Sequence, residues 1–72
     1  MNNLIERTFW SNFGGYTEAL DYPTHEAATE AAGTFEAGSH SDDGMATVKS
    51  VDIGGTAIFV HYEWDYNFLN GR

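Results

Sequence analysis

The stretch Thr56-Ala57-Ile58-Phe59-Val60-His61-Tyr62-Glu63-Trp64-Asp65-Tyr66 alternates with a period of two. Ile58, Val60, Tyr62, Trp64 and Tyr66 share one parity; Ala57, Phe59, His61, Glu63 and Asp65 share the other. Successive side chains of a strand point to opposite faces, so this segment reads as a strand with a ring-rich face and a face bearing His, Glu and Asp. It is the longest clear strand in the chain, and the rest of the fold can be read outward from it.

On its N-terminal side Gly54-Gly55 reads as a tight turn, preceded by a third strand over Met45–Ile53. The alternation of that strand shifts near Ser50, as a β-bulge requires. Before it lies the polar loop Ser39-His40-Ser41-Asp42-Asp43-Gly44. Thr24 is placed to cap a helix that runs from His25 toward Gly38, with Thr24, Ala28, Ala31, Ala32 and Phe35 on one side and Glu26, Glu30, Gly33 and Ala37 opposite. The inner side is mostly alanine, so the helix can lie close on a sheet with Phe35 as its one large anchor. Pro23 stops whatever precedes it, since it has no N–H for a ladder. Two further strands, Leu4–Phe13 and Tyr16–Tyr22, are joined at Gly14-Gly15. The expectation is a single α+β domain over residues 1–72: a small antiparallel four-stranded sheet with one helix, in the order β-β-α-β-β.

One short helix covers only one face of such a sheet, and the other must meet water or a partner. Eleven aromatic residues in a chain of 72 exceed what one thin core buries, so part of them should form an exposed interface patch. With no cysteine there is neither a disulfide framework nor a thiolate metal site, and packing must hold the core.

Eleven Asp and Glu stand against three Lys and Arg, a formal charge of −8. This disfavours direct contact with nucleic acid or anionic lipid. The start MNNLIERTFW has neither a basic region nor an apolar run of signal length, and no segment approaches the roughly 20 apolar residues that span a bilayer. These features predict a soluble, untargeted protein of the cytoplasm.

Glu26 and Glu30 lie four apart on the outer helix face without a Lys to relieve them, and like charges there cost a few tenths of a kcal/mol. Glu36, then Asp42 and Asp43 in the loop, then Glu63 and Asp65 continue the series. Carboxylates four apart on a helix or two apart on a strand repeat every ~6–7 Å, a spacing able to imitate a row of phosphates. Solubility alone also favours an acidic surface, though mixed signs would serve it equally. His25, His40 and His61 match no metal-ligand spacing, and SHSDDG lacks the alternating acids and distal Glu of a calcium loop. The serines lie outside any nucleophile elbow, and so small a chain offers little burial for a catalytic carboxyl. The sequence therefore predicts no enzyme, no metal and no cofactor.

A tiny cysteine-free acidic α+β domain with aromatic strands and an acidic helix face resembles, in general character, the phage-encoded inhibitors of host machinery of the anti-CRISPR and anti-restriction type. The layout of RTFWSNFGGYTEALDYPTHEAATEAA also resembles small phage inhibitors of RNA polymerase. The resemblance implies an acidic protein-binding inhibitor, acting in a host bacterial cell, that occupies a basic nucleic-acid-binding surface of a host complex and excludes DNA or RNA. Glu26, Glu30, Glu36, Asp42, Asp43, Glu63 and Asp65 are the expected charged contacts, with Tyr62, Trp64 and Tyr66 as anchors. The alternative is a self-associating structural or accessory domain whose open sheet face pairs with its twin.

Overall fold

The chain runs through β1 (Glu6–Asn12), β2 (Gly15–Asp21), α1 (His25–Ala32), β3 (Ala46–Gly54) and β4 (Ala57–Trp64). This is seen in a computed structural model that describes residues 4–12, 14–41 and 44–65. All neighbouring strands are antiparallel, and the spatial order is β1-β2-β4-β3. Spatial order thus departs from chain order. After β2 the chain crosses by way of α1 to the far edge, lays down β3 parallel to β2, and returns through a hairpin to place β4 between them. The strand read first in the sequence is therefore interior, with a partner on each side, which explains why its first half is apolar on both parities.

Residues paired directly across antiparallel strands share a face. The register Tyr16↔Tyr62, Glu18↔Val60 and Leu20↔Ile58 places those side chains together. Arg7, Phe9 and Ser11 join them from β1, and Ala46, Val48, Val51 and Ile53 from β3. The register of β3 slips between Val48 and Ser50, leaving Lys49 as the extra residue. The expected bulge has a clear use, because it returns Val48 and Val51 to one face although they differ in parity.

This is the face that α1 covers. Leu20, Tyr22, Ala46, Val48, Ile58, Val60 and Tyr62 are buried together with Ala28 and Ala31 of the helix. Ile58 and Val60 are entirely enclosed, and burying each stabilises the fold by about 1.5–3 kcal/mol. The alanines let the helix approach the sheet, and Phe35 packs against the edge of the cluster. Thr24 caps α1, its hydroxyl accepting from the Ala27 N–H at 3.0 Å. His25 Nδ1 donates to the Gly55 carbonyl at 2.7 Å, tying the helix start to the β3–β4 turn.

Several boundaries differ from the sequence expectation, β2 and β3 by one residue at each end. The helix ends at Ala32 rather than near Gly38. Gly33 and Thr34 are weak helix formers, and here the Gly33 N–H is shared between the Thr29 and Glu30 carbonyls while Thr34 and Phe35 bond three residues back, so the last turn tightens and stops. The Thr34 hydroxyl also donates to the Ala31 carbonyl, competing for the bond that a further turn would need. The second hairpin turns at Gly55-Thr56, with Gly55 at φ 67° and Gly54 still paired to Ala57. Strand β1 begins at Glu6, two residues later than expected.

Candidate functional site

Because α1 packs chiefly on β3 and β4 and meets β2 only at its Leu20–Tyr22 end, no described helix lies above β1 and the Tyr16–Glu18 end of β2. The result is an aromatic groove at the end of the sheet away from the Gly55-Thr56 turn. Tyr16 is at its centre. Its ring stacks on Tyr62 with centroids 4.5 Å apart and planes 12° from parallel. Trp64 tilts against Tyr16 at 5.1 Å, and Phe9 meets it edge-on at 6.3 Å. Such pairs each add about 0.5–1.5 kcal/mol beyond the area they bury, so the wall is held in place without a ligand.

Two adjoining hollows open here, of about 250 and 360 Å³. Phe9, Ser11, Tyr16, Glu18, Met45 and Trp64 line the first. The second shares Tyr16 and Glu18 and extends past Leu20 and Tyr62 to Phe35 and Arg7. Phe9 is 67% exposed. Glu18 is the one carboxylate lining either hollow among the described residues, and it pairs with Arg7 at 3.1 Å (Nε to Oε2), the Glu18 side chain being mostly covered and that of Arg7 mostly free. A carboxylate among ring faces is a receptor for a guanidinium or ammonium group, since cations are drawn both to the charge and to the aromatic quadrupole.

The expected contact residues divide. Trp64 lines the groove, and Tyr62 forms its floor rather than an exposed anchor, being 9% accessible within the core cluster. Glu26 and Glu30 are exposed on the outer side of α1, and Glu36 is exposed just beyond it. Glu63 is exposed on the opposite face of the sheet, since it pairs with Gly15 and Thr47 rather than with the groove residues. Asp65 is half-buried, its backbone N–H donating to the Met45 carbonyl. Asp42, Asp43 and Tyr66 lie outside the described residues. The placed carboxylates therefore surround the molecule on both faces instead of forming one phosphate-like row.

The opposite face has a feature that spacing alone did not disclose. The Thr17 hydroxyl lies 3.0 Å from His61 Nδ1, and His61 Nε2 lies 2.9 Å from Asp52 Oδ2. Cross-strand pairing of Thr17 with His61 brings the first two together. Asp52 enters one rung away on β3. This hydroxyl–imidazole–carboxylate chain has the order of a nucleophilic relay. Thr17, however, is 4% accessible, so an incoming carbonyl has no approach to its oxygen, and the chain acts as a clamp between β2, β4 and β3.

Phe9, Tyr16, Glu18 and Arg7 were absent from the residues expected to make contact. Tyr16 and Glu18 do share parity with Leu20 and Tyr22 in the sequence. What joins them to strand β4 is the adjacency of β2 and β4, which pattern does not specify. A comparison with known protein families, curated proteins and solved structures finds no match. The site must therefore be judged on its own geometry.

Proposed function

We propose that the protein is an acidic binding protein that docks on a basic surface of a larger nucleic-acid-handling complex and inhibits it by excluding DNA or RNA, in the manner of the anti-CRISPR and anti-restriction inhibitors. The observation that carries this reading is Glu18 set among Phe9, Tyr16 and Trp64 in an open groove. The groove fits an arginine or lysine side chain, and proteins that hold nucleic acid present such side chains in clusters. The incoming cation takes a place beside Glu18 that Arg7 holds in the free protein. The surrounding carboxylates act at longer range. A net charge of −8 steers encounter with a basic surface and raises the on-rate, while the rings and Glu18 set the residence time.

The acids on two faces change the mechanism from the one spacing first suggested. A ruler of phosphate mimics would need Glu26, Glu30 and Glu63 on one side. Here the general field attracts and the groove grips.

The test is capture from a bacterial lysate on immobilised wild-type protein, with and without added duplex DNA, compared with Trp64→Ala. Retention of nucleic-acid-binding proteins that DNA displaces, and that the variant retains poorly, is the expected result. Retained proteins indifferent to both DNA and the substitution would refute the reading.

A further inference from the structure

The two edges of the sheet are unlike. The outer edge of β3 is guarded: Gly38 N–H donates to Val48 O, Val48 N–H to Ser39 O and Ser41 N–H to Ala46 O, so the loop after α1 lies along its first half. His40 bridges Thr47 there, and the bulge at Lys49 disrupts the next rung. Loops, bulges and lysines are the usual means by which a free edge is kept from pairing. Strand β1 has none of them. It is seven residues long, ERTFWSN, without Lys, Pro or bulge, and no described strand or loop lies outside it. Among the described residues, four of the five exposed large apolar side chains, Leu4, Ile5, Phe9 and Trp10, lie on or just before it.

The backbone groups of this edge can be assigned. Tyr22 N–H donates to Thr56 O and Trp64 N–H to Gly14 O, so the even-numbered residues of β2 bond toward β4. By the alternation of an antiparallel ladder the odd-numbered ones bond toward β1, to Thr8, Trp10 and Asn12, while at the strand's start the Ile5 N–H donates to the Asp21 carbonyl. The N–H and C=O groups of Arg7, Phe9 and Ser11 then face outward.

We infer that β1 pairs antiparallel with β1 of a second copy of this chain, about a two-fold axis through Phe9, to give a continuous eight-stranded sheet. This axis overlaps the whole strand. It sets Phe9 against its twin, Arg7 against Ser11, Glu6 against Asn12 and Thr8 against Trp10. The outward-facing residues meet one another, as hydrogen bonding requires, and no like charges are opposed. An axis through Arg7 would oppose two guanidinium groups. The charge pattern favours a twin here, because β1 carries one acid and one base and is locally neutral in a chain of net charge −8. Phe9 opposite Phe9 also joins the two aromatic grooves into one.

This inference is independent of the binding reading and has the opposite salt dependence. Two anionic copies repel, so added salt strengthens self-association while it weakens a grip on a basic partner. Sedimentation of wild type over a concentration series should reach about twice the 8.0 kDa chain mass, at lower concentration in high salt. Ser11→Pro removes an outward N–H without touching the bonds to β2 and should remain monomeric with an unchanged circular dichroism spectrum. The chain has no cysteine, so the register can be read by single substitutions. Opposed residues of a hydrogen-bonded pair lie about 5.5 Å apart between Cα atoms, within disulfide reach. Phe9→Cys should oxidise to a covalent dimer at least tenfold faster than Ile5→Cys. A wild type monomeric at every concentration and salt, or equal oxidation of the two cysteine variants, would overturn the inference.

Discussion

Gly15 shows how tightly a single residue can be specified. A Cβ at this position would meet the carbonyl oxygen of Tyr62 on the neighbouring strand, so Gly15→Ala must push β2 away from β4 at the point where Tyr16 and Tyr62 stack. We expect a loss of about 2 kcal/mol or more, read by urea denaturation. Tyr22 ties a residue to pH. Its hydroxyl is raised above the ordinary value of 10.0 chiefly by burial, with Arg7 opposing and Glu18 adding to the rise. The unfolded chain therefore releases this proton first. The contribution is fully present below about pH 10 and is lost as pH climbs through the folded value. Difference spectroscopy should find tyrosine ionisation extending above the ordinary value, and Tyr22→Phe should diminish that late step. Arg7→Ala strands Glu18 at the groove wall and should cost on the order of 1 kcal/mol in thermal unfolding, because a partly covered carboxylate loses the guanidinium beside it.

Among the elements, those with strong periodicity were legible and those defined by pairing were not. The bulge of β3 could be read from the shift near Ser50, and the helix start from Thr24. Thr24→Ala should lower stability by about 1 kcal/mol, measured by denaturant midpoint, because the Ala27 N–H loses its acceptor. Gly38 reads as the helix stop in the sequence, whereas Gly33 and Thr34 tighten the last turn first. That early end matters for the site. A helix carried on to Gly38 would have lengthened the cover over the sheet face, while the shorter one leaves Tyr16 and Trp64 half-open. The clamp Thr17–His61–Asp52 was hidden for a different reason: its members come from three strands, and only the order β2-β4-β3 makes them neighbours.

For the whole molecule, the ring-rich and acid-bearing parities of β4 were legible, but which of them the helix covers was not. The helix takes the ring face, so Tyr62 goes to the core and Glu63 to the far side. An anionic surface therefore surrounds a groove instead of forming a strip, and under the proposed function attraction and grip reside in different residues. Substitutions of equal charge test that separation. The measurement is calorimetric titration of an arginine-rich peptide into wild type, Glu18→Gln and Glu30→Gln at one fixed salt concentration, with folding of each verified by circular dichroism. Both variants lose one negative charge. Glu18→Gln should bind at least tenfold more weakly than wild type while Glu30→Gln changes affinity less than twofold; equal losses in the two variants would contradict a separate grip at Glu18.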